Sequence, residues 1–224
     1  MIVIFDLDYT LTRRGTWGRF VWRSVRFRPW LWLPLLFGTA ANQLDYKRGR
    51  TPRGTVKKAM MRWSLMHRSQ AELIRMGEVF ARREVKRLRP GALAALARHR
   101  SQGDTVMIAS AAACLIVVPL CRELGIDHYV CTEMGWDGEN LSERFSSENC
   151  YADAKRRAVL AYLERRDLPT QAAVLYTDSQ ADFALEPLVD SIVVVNPRTK
   201  TRRAASSRGF EIVDWNEAPR RAAA

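Results

Sequence analysis

The chain has 224 residues, 47% of them hydrophobic, enough for one sizeable core with an inserted subdomain and too little for more than one catalytic domain plus a cap. A formal net charge of +12 and an isoelectric point near 10.1 favour anionic partners: phosphorylated metabolites, acidic lipid head groups or nucleic acid. Cys114, Cys121, Cys131 and Cys150 show no CxxC spacing, so neither zinc nor a disulfide framework is expected, and reduced thiols in a cytoplasmic protein are the default. No basic, apolar, small-residue preamble precedes the first strand, so no secretory signal is expected.

Met1 to Phe5 reads as a buried strand, and Asp6 and Asp8 follow it directly, as though a central strand delivered two acids to its C-terminal edge. Carboxylates this close repel unless a cation or a phosphoryl group uses the charge. Residues 13 to about 89 then interrupt the pattern. They are crowded with arginine and lysine, and Asp45 is the only acid between Asp8 and Glu72. This stretch is expected to lie over the strand edge as a helical cap. Within it, Pro29 to Gly38 is apolar and aromatic but too short, and too interrupted by proline, to span a bilayer. Tryptophan and leucine flanked by Arg26, Arg28, Lys47 and Arg48 suit either a segment lying at a membrane head-group boundary or the cap's own core.

Ser69 to Leu88 has the spacing of an amphipathic helix, and Ala92 to Arg100 reads as another. An alternation follows: strand Thr105 to Ala109, helix Leu115 to Leu124 closed by Gly125, strand His128 to Cys131, and a hairpin with an Asp-Gly turn at Trp136 to Leu141. Helix Ala152 to Arg165 and strands Ala172 to Tyr176 and Ser191 to Val195 complete an α/β pattern with a parallel sheet, and Arg220 to Ala224 reads as a frayed basic tail. Ser110 sits at one strand end, Lys155 early in a helix, and Thr177-Asp178-Ser179-Gln180-Ala181-Asp182 beyond another strand. Each is bland alone. In order they give an acid pair, a hydroxyl, a lysine and a second acid pair.

That order, opened by Phe5-Asp6-Leu7-Asp8-Tyr9-Thr10, resembles the four motifs of the haloacid-dehalogenase-like (HAD) phosphatases, the first being DxDx[TV]. The resemblance implies a Rossmannoid three-layer α/β sandwich with a parallel sheet and an inserted helical cap, the core at 1–12 and 90–224 and the cap at 13–89. It implies Asp6 as nucleophile, Asp8 as acid/base and Lys155 as charge neutraliser. Ser110, Ala111, Leu7 and Thr10 would hold the phosphoryl group, partly through backbone N–H groups. Mg2+ would be bound by Asp6, Asp178 and the backbone carbonyl of Asp8, with Asp182 orienting the metal shell or Lys155. Gly125-Ile126-Asp127-His128, the hairpin before Asn149-Cys150, and Asn196-Pro197 resemble the phosphoserine-phosphatase-like branch, although Thr177 and Ala152 stand where that branch commonly has glycine.

The motifs specify a phosphoryl group and leave its carrier to the cap. Residues Asp8 to Phe20 and the Pro-Leu-Leu-rich run resemble bacterial phosphatidylglycerophosphate phosphatases of this class. The leading expectation is a phosphatase acting on a phospholipid head group, in peripheral contact with anionic membrane at the cytoplasmic side. A soluble phosphatase for a small metabolite such as phosphoserine is the alternative. A non-catalytic module binding anionic membrane or nucleic acid is a third, which the intact Asp6, Asp8, Lys155 and Asp178 argue against.

Overall fold

The computed structural model describes residues 1–52, 54–66 and 68–217; the basic tail expected at 220–224 lies outside the described residues. In chain order the elements begin with β1 (Ile2–Phe5) and four helices, α1 (Thr16–Val25), α2 (Trp32–Lys47), α3 (Gly54–Ser64) and α4 (Gln70–Val85). There follow α5 (Pro90–Ser101), β2 (Thr105–Ala113), α6 (Cys114–Leu124), β3 (His128–Thr132), β4 (Met134–Asp137) and β5 (Asn140–Phe145). The chain continues with α7 (Asp153–Arg165), β6 (Ala172–Thr177), a 3-10 segment (Gln180–Leu188), β7 (Val189–Val195), α8 (Thr199–Ser207) and β8 (Glu211–Val213).

Among the described residues the main sheet runs β3-β2-β1-β6-β7-β8 with every pairing parallel, while β4 and β5 form a separate antiparallel hairpin. β1 is fully buried, as an Ile-Val-Ile-Phe run without polar alternation demands of a strand covered on both faces. Val3 and Phe5 pack with Leu96 of α5 and Leu120 of α6 on one side; Ile2 and Ile4 pack with Val159 and Leu163 of α7 on the other. The result is the three-layer α/β sandwich expected. Chain order reverses on either side of β1, and that reversal opens a crevice at the strands' C-terminal ends, where open α/β sheets bind ligands.

The helices α1 to α4 enclose a third hydrophobic cluster: Phe20, Leu35, Met61 and Phe80 meet Met134 and Leu141 of the hairpin and Ile116 of α6. α4 lies so close to α6 that a Cβ at Gly77 would stand 2.2 Å from the Leu115 carbonyl oxygen, so only glycine permits this approach. Ser69 caps α4 by accepting the Glu72 N–H at 3.3 Å, the reciprocal of a helix N-terminus short of acceptors. No helix among the described residues is long and apolar enough to cross a membrane.

Two expectations are corrected. β2 does not stop at Ala109 but continues to Ala113, with a register shift against β3 between Ala109 and Ala113, so Ser110 lies in an irregular strand end. The thiols are not all reduced: Cys114 and Cys131 form a disulfide. Spacing along the chain does not reveal that α6 begins beside β3, where the two Cα atoms stand 5.4 Å apart, within bridging range. Cys121 and Cys150 remain thiols, their pKa values pushed up by burial to about 12 and about 11.

Candidate active site

The peptide N–H of Asp6 donates to the Tyr176 carbonyl at 2.9 Å, carrying the β1–β6 pairing one residue past the strand. A π-helical turn over Leu7–Leu11 follows, closed by the Thr12 N–H on the Leu7 carbonyl at 3.0 Å and by the Thr12 hydroxyl on the same oxygen at 3.1 Å. Tyr9 adopts φ +65°, and Arg89 fixes it there by donating Nε and Nη2 to its carbonyl at 3.2 and 3.1 Å. Asp8 lies within this turn, and its Oδ1 accepts the N–H of Thr16, the first residue of α1, at 2.8 Å. A helix N-terminus therefore orients this carboxyl.

Lys155, in the first turn of α7, is 2% exposed; its ammonium donates to Asp6 Oδ1 at 2.9 Å and pairs with Asp182 Oδ1 at 2.7 Å. The other Asp182 oxygen accepts from the Thr177 hydroxyl at 2.7 Å. Asp6, Asp8, Ser110, Ala111, Lys155 and Asp178 converge on a cavity of about 350 Å³ that Asp182 also lines. Leu7 and Thr10, also expected to hold the phosphoryl group, are both buried. Leu7 has its side chain in the hydrophobic core, leaving only its backbone for the site, and the Thr10 hydroxyl is buried 3.5 Å from Asp6 Oδ2. Ser110 is 1% exposed, and its oxygen accepts the Ala112 N–H at 3.1 Å.

Burial raises Asp6 to about 8, Asp182 and Asp178 adding to it and Lys155 opposing. Burial also raises Asp8, against the pull of its bonds to Thr16. Asp178 is raised to about 6 by burial and by the neighbouring Asp182. Burial works against the charge on Lys155, but Asp182 and Asp6 outweigh it and push its pKa above the usual lysine range. Among the described residues no three His, Cys, Asp or Glu side chains form a ready metal cluster. Even so, Asp6, Asp8 and Asp178 line the same cavity, and the upward shifts of Asp6 and Asp178 mark carboxylate charge that a hard, oxygen-seeking cation would relieve.

Residues that the sequence did not single out complete the surroundings. Tyr151, Arg198 and Thr201 line the cavity, and the Arg198 guanidinium lies 5.3 Å from the Tyr9 ring centroid. Lys57 of α3 donates to the Ala111 carbonyl at 2.5 Å and to Asn149 Oδ1 at 2.8 Å. A second cavity of about 440 Å³ adjoins Asp8 and Ala111 and is walled by Trp17, Gln43, Tyr46, Lys57 and Met60 from α1, α2 and α3. No local pattern marks these residues; only the packing of the helices over the strand edge gathers them.

A family model described as haloacid dehalogenase-like hydrolase matches residues 3–185. The chain belongs to this family. As a HAD-like hydrolase it is 30% identical over 122 residues to a probable phosphatase of Mycobacterium tuberculosis, a match covering 54% of this chain and 42% of that protein. It thus spans less than half the length of that relative. A phosphoserine phosphatase of the same organism is 26% identical over 222 residues, covering 94% of this chain and 70% of the relative. A crystal structure of a Bordetella pertussis Tohama I protein of unknown function superposes with a TM-score of 0.81 at 23% identity, covering 96% of this chain and 98% of that one, which shows a shared fold.

Proposed function

We propose that this HAD-family protein is a Mg2+-dependent phosphomonoester hydrolase that works through an aspartyl-phosphate on Asp6. The observation that carries the reading is Lys155, locked between Asp6 and Asp182 at 2.9 and 2.7 Å in a cavity that also holds Asp8, Ser110 and Asp178. A phosphate ester entering there would place phosphorus against the Asp6 carboxylate, with Ser110, the Ala111 backbone and Lys155 toward its oxygens. Asp6 would attack as the P–O bond to the alcohol breaks. Asp8, kept protonated further up the pH scale by burial, would give its proton to the departing oxygen. The same carboxylate would then take a proton from water as that water attacks the aspartyl-phosphate, releasing inorganic phosphate and restoring Asp6. Mg2+ held by Asp6, Asp178 and the Asp8 carbonyl would supply the positive charge that lets an anionic nucleophile meet an anionic ester.

The cavity walled by Gln43, Tyr46 and Lys57 is the place for the alcohol part, and its size suits a small polar carrier. Our reading is a phosphorylated phospholipid head group, such as that of phosphatidylglycerophosphate, with the acyl chains left outside. A small soluble phosphoester such as phosphoserine is the second reading, supported by the name of the relative that the chain matches over 94% of its own length. The test is phosphate release from phosphatidylglycerophosphate in mixed micelles, phosphoserine and an aryl phosphate, with Mg2+ or EDTA and with Asp6→Asn. We expect turnover that EDTA and Asp6→Asn both abolish, with the lipid preferred. Preference for phosphoserine would replace the substrate, and activity surviving Asp6→Asn would sink the mechanism.

A further inference from the structure

α2 carries an apolar stripe that no part of the described chain covers. Leu33, Leu36, Phe37, Ala40, Ala41 and Leu44 follow one another at intervals of three, one, three, one and three residues, which places them on one helical face, and all are exposed. The exposure is large: Leu33 64%, Leu36 64% and Phe37 72%. The turn before α2 adds Phe27 at 79% and Trp30 at 68%. An amphipathic helix ordinarily turns such a face inward, but only Leu35 of this helix is buried. Contiguous exposed apolar surface of this kind marks an interaction site.

The charges around the stripe identify the partner. Arg26 and Arg28 stand at its N-terminal end and Lys47, Arg48 and Arg50 at its C-terminal end. Asp45, the one acid on the helix, is paired with Arg50 at 3.6 Å. Beside the ridge lies a groove of about 400 Å³ walled by Arg23, Arg26, Arg28 and Arg75 over Phe20 and Phe80. Its acid, Glu72, is bonded to Arg68. A second copy of this chain would bring arginine against arginine, and nucleic acid would leave the leucines and phenylalanines in water. An anionic lipid surface satisfies both parts, taking the apolar side chains below its head groups and the guanidinium groups among its phosphates.

We propose that the outer face of α2, with the arginine-walled groove beside it, docks this protein on anionic membrane as a peripheral, non-spanning contact. The same helix also serves the site: Gln43 and Tyr46, toward its C-terminal end, line the cavity next to Asp8. Docking therefore sets that cavity beside the bilayer. The surface is independent of the phosphatase reading and is tested apart from it.

The experiment is flotation of the full chain with vesicles of phosphatidylcholine alone or mixed with phosphatidylglycerol. Controls are Leu33→Glu/Phe37→Glu and Arg26→Glu/Arg28→Glu, with circular dichroism and sedimentation measured on each preparation. We expect retention on the anionic vesicles only, and a loss of at least about tenfold in apparent affinity for each double variant. The circular dichroism spectrum of each variant should match the parent's, which reports an intact fold whether or not the chain turns over phosphate esters. The proposal is overturned if the parent chain does not float with anionic vesicles, or if the variants float equally well. It is likewise overturned if the parent is a dimer that Leu33→Glu/Phe37→Glu splits while neither binds vesicles.

Discussion

The Thr177 hydroxyl donates to Asp182 Oδ2 at 2.7 Å while Asp182 Oδ1 meets the Lys155 ammonium at the same distance, so the last residue of β6 fixes the lysine through the acid. Thr177 also accepts the Ser179 N–H at 3.0 Å, which shapes the turn carrying Asp178. A threonine in place of the glycine common in the resembling branch thus adds a support. Thr177→Val keeps the volume and removes the hydroxyl; a lost bond to a charged group is worth about 1.5–3 kcal/mol, and we expect kcat to fall roughly tenfold or more with KM little changed. Thr177→Ser should restore most of the rate. Equal losses in both variants would show that packing, not the hydroxyl, matters there.

Ala152, just before α7, sits at φ +51° and ψ −127°, a conformation that a Cβ disfavours. Such a residue stores about 1–3 kcal/mol of backbone strain. Ala152→Gly should release part of it and raise the melting temperature by a few degrees, because about 1 kcal/mol moves a domain of this size by roughly 2–4 °C. A lower melting temperature for the glycine variant would contradict this account.

The raised carboxylates set the sign of a pH effect on the metal-free protein. Asp178 titrates near 6 in the folded state and near 3.8 unfolded, so the folded protein holds the extra proton between those values. Its contribution to stability is fully present below about 3.8 and is lost as pH rises through about 6. Asp6, raised to about 8, extends the same trend upward. A cation between them reverses the penalty by favouring the ionised forms. Calorimetry should therefore find that Mg2+ raises the melting temperature more at pH 8 than at pH 5. An equal shift at both values would place the ion elsewhere.

Much of this was legible in the sequence because the core obeys local rules. An unbroken Ile-Val-Ile-Phe run can only be a central strand, and acids directly behind it must lie at the sheet's edge. Gly125 at φ +61° closes α6 as expected, and Gly138 at φ +62° turns the hairpin. What escaped depends on contacts between distant segments. Arg89 falls at the end of the basic insert with no local pattern to single it out, yet its guanidinium grips the Tyr9 carbonyl 80 residues away. Lys57 sits within a run of basic residues and gave no sign that it would reach Ala111. The unpaired look of Cys114 and Cys131 had the same cause, since their meeting depends on the parallel crossover between β2 and β3.

That crossover is also where the chain is covalently closed. The bridge joins residues 17 apart and encloses α6 with the start of β3 in one ring. Parallel pairing is slow to find because the intervening helix must first be looped back at an entropic cost. In an oxidised chain much of that search is completed before folding starts, since even the denatured ensemble keeps the end of β2 near β3. A loop of this length restrains the unfolded state by about 3 kcal/mol in the chain-entropy view. The strand end that presents Ser110 and Ala111 would then be among the first parts of the crevice to regain its neighbours after denaturation.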